Sequence, residues 1–93
     1  MSLFGLRPET LFAMAEARAW CEKHGHEFVV TSCTEGRHGR SSRHYAGLAF
    51  DMRTRHMTPA QKTACVRALR KKLGEDYDVV REKTHFHLEY DPK

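Results

Sequence analysis

The residues Thr58-Pro59-Ala60-Gln61 constrain this chain more than any others: they form a capping box with proline at the first helical position, and so fix where a helix must begin. From there Val66, Leu69 and Leu73 recur at helical spacing, with Cys65 and Ala68 beside them, until Gly74 ends the run. The rest of the chain must pack against that stripe. Downstream, residues 77–81 and 85–90 read as two short strands joined by a tight turn at Glu82-Lys83-Thr84. Upstream, residues 8–24 read as a first helix, with Pro8 in its first turn, Leu11, Phe12, Ala15 and Ala19 on one side, and Gly25 as its stop. Residues 27–33 are β-rich and short and read as a central strand, residues 34–42 have the glycine and serine content of an irregular loop, and residues 48–53 suit a second strand. This order predicts an α+β fold with two main helices packed on a small, largely antiparallel sheet.

A chain of 93 residues with 40% apolar content is read as one domain, residues 1–93, near the lower end of what a single core supports. Cys21, Cys33 and Cys65 are odd in number and widely spaced, so they are expected to be free thiols in a reducing compartment. No signal-peptide pattern opens the chain and no stretch approaches membrane-spanning length, which predicts a soluble, cytoplasmic product where it is made. The net charge of +4 favours acidic partners without choosing among nucleic acid, anionic lipid and an anionic cell-wall polymer. Aromatic and basic residues interleave too thinly for a nucleic-acid surface, and no membrane partner is expected.

The chemistry concentrates in two segments, Ser42-Arg43-His44-Tyr45-Ala46-Gly47-Leu48-Ala49-Phe50-Asp51 and Glu82-Lys83-Thr84-His85-Phe86-His87. A catalytic zinc site takes three nitrogen or oxygen ligands and keeps one position open for water. His44 can leave a loop while Asp51 projects from the strand that follows, so both can reach one ion. His85 and His87 share one face of an extended segment, and one of them is expected to complete the set. Glu82 has the wrong strand parity for that face, but from the turn it can swing over the same pocket. Glu89 has the right parity and is read as a solvated or supporting carboxylate. His24, His26, His38 and His56 are read as surface or hydrogen-bonded residues.

Ser42-x-His44-x-x-Gly47-x-Ala49-x-Asp51 followed by His85-x-His87 resembles the zinc peptidases that include D-alanyl-D-alanine carboxypeptidases, D-Ala-D-Ala dipeptidases, L-alanyl-D-glutamate endolysins of phages and murein endopeptidases. The same zinc scaffold occurs in the hedgehog signalling domain, and Thr34-Glu35-Gly36 with residues 44–51 is locally similar to that form. The resemblance implies a hedgehog/D,D-peptidase-like fold, Zn2+ as cofactor, and a metallopeptidase acting on peptidoglycan stem peptides. It implies His44, Asp51 and His87 as zinc ligands, Glu82 as the general base, and His85 as an auxiliary catalytic residue. A second register, Glu82-x-x-His85, is that of the dipeptidase and endolysin branch, and it also makes Glu82 the base.

Many bacterial members carry an arginine after the first strand, in a Ser-Gly-Tyr-Arg sequence, to hold the substrate carboxylate; the corresponding residues here are Ser32-Cys33-Thr34-Glu35. Arg37 or Arg40, with Ser42 nearby, is expected to take over that contact. The acids of the hedgehog calcium segment that would follow Glu35 are replaced by Arg37, His38 and Gly39, so no calcium site is expected. The expected protein is a monomer that reaches the wall by phage-type lysis or acts on cytoplasmic wall peptides. The competing expectation is a non-catalytic, hedgehog-like zinc-binding interaction module.

Overall fold

The computed structural model describes residues 8–34 and 49–92. Its elements are α1 (Pro8–Lys23), β1 (Val30–Thr34), β2 (Ala49–Arg53), α2 (Pro59–Leu73), β3 (Tyr77–Arg81) and β4 (His85–Tyr90). The strands form one sheet in the order β1-β2-β4-β3, with every pairing antiparallel, so β1, expected to be central, is an edge strand and β2 and β4 are the central ones. The α+β class expected from the sequence is therefore what the chain adopts.

The capping box forms as read. The Gln61 amide donates to Thr58 Oγ1 at 3.1 Å, and the Thr58 amide donates to Gln61 Oε1 at 2.9 Å. At the other end Gly74 takes φ 83°, a left-handed value that favours glycine, and its amide donates to the Arg70 carbonyl at 3.0 Å. Cys65, Val66, Leu69 and Leu73 are the buried residues of α2, as the stripe predicted, and Ala68 is half-buried beside them. The Arg70 guanidinium then donates to the Val79 carbonyl at 2.8 and 3.1 Å, tying the last turn of α2 to β3.

The buried face of α1 differs from the expected one. Leu11 and Phe12 are 41% and 47% exposed, and Ala15 and Ala19 are exposed with them. Thr10, Ala13, Ala17 and Cys21 are buried instead. These small side chains let the helix approach the sheet and α2 closely, while the partly buried Met14 and Trp20 fill the flanks of the core. Ranking by hydrophobicity selected the large residues, but close packing selected the small ones.

One face of the sheet supplies Phe50, Met52, Val79, Phe86 and Leu88 to the core shared with both helices. Strand alternation sends Asp51, His85, His87 and Glu89 to the opposite, open face. β1 begins later than expected, at Val30, and its register shifts between Val30 and Ser32. That bulge puts two residues of β1 against one step of β2, so Val30 still faces the core side opposite Met52 while Ser32 lies opposite Asp51 on the open face.

Candidate functional site

The register aligns Ser32, Asp51, His87 and Val80 in one row across the four strands. Within it, His87 Nδ1 lies 2.7 Å from Asp51 Oδ1, and Ser32 Oγ donates toward Asp51 Oδ2 at 3.5 Å. In the next row His85 is paired with Arg53, and His85 Nε2 stands 3.9 Å from Asp51 Oδ2. On the other side Glu89 Oε1 accepts from His87 Nε2 at 3.1 Å. Asp51 is thus the meeting point of the serine and both histidines, with His87 closer than His85.

The environment of His87 follows from this geometry. Its side chain is 18% exposed. Burial by itself pulls the imidazole down, but hydrogen bonds to Glu89 and Asp51, and the charges of both carboxylates, outweigh that cost and hold it above its ordinary value. Each ring nitrogen faces a carboxylate oxygen, Nδ1 that of Asp51 and Nε2 that of Glu89.

Glu82 reaches the same face by the alternation of β3, two residues beyond Val80, and not by a swing of the turn. A cleft of about 330 Å³ on the open face is lined by Val80, Glu82, His85, His87 and Glu89. The turn that carries Glu82 is pinned from several sides. The Glu82 amide donates to the His85 carbonyl at 2.9 Å, the Thr54 amide to the Thr84 carbonyl at 2.9 Å, and Lys62 Nζ to the Lys83 carbonyl at 2.8 Å. Arg81 adds a bond from Nη1 to Thr63 Oγ1 at 2.9 Å. The N-terminal half of α2, set by its capping box, therefore holds the position of the Glu82 backbone.

Of the residues singled out in the sequence, the structure brings together Asp51, His85 and His87, with Glu82 on the rim of their cleft. His44, Arg37, Arg40 and Ser42 lie outside the described residues, as does the Glu35 segment. Among the described residues no group of three or more histidine, cysteine, aspartate or glutamate side chains is arranged to hold a metal ion. The donor chemistry of Asp51 and His87 still suits zinc, which binds carboxylate oxygen and imidazole nitrogen. Two such donors on one tetrahedral ion sit about 3.3 Å apart, so the 2.7 Å contact would have to open by about half an ångström. Nδ1 is the nitrogen that faces Asp51, and Nε2–H is already directed at Glu89. A carboxylate on the far nitrogen of a metal-binding histidine fixes its tautomer and orientation.

Glu89 and Ser32 were not assigned to the site from sequence. Glu89, expected as a solvated or supporting carboxylate, is the supporting one, facing His87 Nε2. Ser32 is brought in by a bulge that no local pattern announces. No family model, curated protein or solved structure matches the chain. Among the described residues, no helix is long and apolar enough to cross a membrane.

Proposed function

We propose that this chain is a zinc-dependent peptidase of hedgehog/D,D-peptidase-like fold that hydrolyses amide bonds in peptidoglycan stem peptides. The observation that carries the reading is the convergence of Asp51, His85 and His87 on one open sheet face, with Glu82 at the rim of the same cleft.

His87 and Asp51 would hold the ion together with His44. When bound, zinc lowers the pKa of a water to about 7 and polarises the scissile carbonyl. Glu82 would serve as the general base toward the attacking water and as the acid toward the leaving amine. His85 donates a hydrogen bond to the oxyanion that develops at the carbonyl. Glu89 keeps the His87 ring oriented through Nε2, and Ser32 restrains Asp51 from the other side. Val80, 41% exposed in the cleft, offers a small apolar surface suited to an alanine methyl group. Arg37 or Arg40, with Ser42, would bind the substrate carboxylate.

The test is incubation of the protein with purified muropeptides, with and without a chelator, read by mass spectrometry. Loss of a mass corresponding to one amide cleavage, abolished by the chelator and restored by zinc, supports the reading. Zinc binding with no cleavage of any muropeptide would replace it with a zinc-stabilised interaction module.

A further inference from the structure

The end of α1 gathers a second set of imidazoles, none of which lines the cleft of His85 and His87. Trp20, the only tryptophan of the sequence, stacks on His24 with ring centroids 4.0 Å apart and on His26 with centroids 5.8 Å apart and planes 9° from parallel. His56, thirty residues further along the chain, brings its ring to 5.6 Å from that of His26 at an interplanar angle of 58°.

Both loops that carry these rings are held by backbone hydrogen bonds. The His26 amide donates to the Cys21 carbonyl at 2.8 Å, and the Met57 amide to the Thr54 carbonyl at 2.9 Å, closing the turn that presents His56. The Arg53 amide donates to the Val29 carbonyl at 2.9 Å and ties the last residue of β2, from which the second loop leaves, to the first loop. His24 is used differently, since its Nδ1 lies 2.8 Å from the Trp20 carbonyl. Among the described residues neither His26 nor His56 is hydrogen-bonded through its ring, so their nitrogens remain available.

Two imidazoles that share one ion at about 2.0–2.1 Å per bond have ring centres about 5 Å apart and inclined to one another. His26 and His56 already stand close to that arrangement. We propose that they form a bidentate site for a borderline divalent transition metal, Cu2+ or Ni2+ before Zn2+, with Trp20 as its wall and water in the remaining positions. The preference follows from the nitrogen donors and from the order of stability of imidazole complexes across the first-row metals. Bound metal would clip the α1–β1 loop to the β2–α2 loop. This site does not depend on the peptidase reading.

Trp20 makes the site directly observable. The experiment titrates Cu2+, and separately Ni2+, into the folded protein while following tryptophan fluorescence, in the wild type and in H26Q, H56Q, H24Q and H87A. Saturable quenching is expected in the wild type, H24Q and H87A. H26Q and H56Q should each shift the titration to at least about tenfold higher metal, the scale of losing a metal-site partner. Because both substitutions lie in loops, far-ultraviolet circular dichroism should be unchanged. Quenching that persists unshifted in H26Q and H56Q, or that disappears in H87A, would overturn the proposal. So would a Ni2+-induced rise in melting temperature that H56Q keeps in full.

Discussion

The two faces of this four-stranded sheet are built from the same strands, yet they obey different rules. On the inner face Phe50, Met52, Phe86 and Leu88 are almost wholly buried, and each is held by shape and exclusion of water. On the outer face Asp51, His87 and Glu89 are only half-buried and are held by hydrogen bonds to one another. Adjacent residues along β4 therefore divide the work. Phe86 and Leu88 keep the sheet on the helices, and His85, His87 and Glu89 have freedom to serve chemistry. A core position cannot lose volume cheaply, whereas a site position can lose its function with the fold intact.

The sharpest way to break that comparison is to truncate neighbours on opposite faces. Phe86→Ala should cost about 3–5 kcal/mol, a large part of the stability of a chain this size, and show it in denaturant unfolding. His87→Ala should cost less, about 1–3 kcal/mol from the hydrogen bonds lost to Asp51 and Glu89, and abolish zinc binding. If both variants unfold alike, the two faces are not separable. Next in size, Glu82→Gln should retain zinc and lose about 10²–10⁴-fold in turnover, the usual worth of a positioned acid–base group, measured on the muropeptide that the wild type cleaves. A fully active Glu82→Gln protein removes the proposed base. Glu89→Ala should weaken zinc about 10–100-fold in a competition titration, as loss of a histidine's supporting carboxylate does.

A further effect concerns pH and belongs to the core that the inner face shares with the helices. Burial pushes the Cys65 thiol up to about 12, with Cys21 close by adding to the rise. Burial likewise pushes Cys21 up to about 11, with the Glu22 carboxylate contributing. The unfolded chain ionises these thiols near 9.0, so stability from keeping them neutral is fully present below that pH and is lost as pH rises toward 11 and 12. Melting temperature should fall across that window, and the fall should be shallower in Cys65→Ser. An identical slope in the two proteins would show that this thiol's ionisation does not couple to folding.

Much of the fold was legible because local signals agreed with tertiary packing. The capping box and Gly74 bounded α2, and alternation in His85-Phe86-His87-Leu88-Glu89-Tyr90 marked both faces of β4. Glu82 reaches the cleft by the alternation of β3, two residues beyond Val80 and opposite His85, and not against its strand parity, because parity counted back from His87 does not carry across the turn. What the sequence did not disclose depended on packing at a distance. The small-residue face of α1 is chosen by how closely the helix must approach its neighbours, and hydrophobicity alone points the other way. The bulge that turns Ser32 toward Asp51 exists only in the pairing of two strands. His26 and His56 look isolated along the chain and meet only because two loops are tied together.

The most direct measurement is the zinc stoichiometry of the H26Q protein, which removes the second imidazole pair, compared with the same protein carrying in addition Asp51→Ala or His87→Ala. Isothermal titration should give about one zinc per chain in H26Q and none that survives dialysis in either double variant, all three keeping native circular dichroism. Undiminished zinc binding after loss of Asp51 and of His87, or no binding in H26Q, would contradict a metal centre on the open face of the sheet.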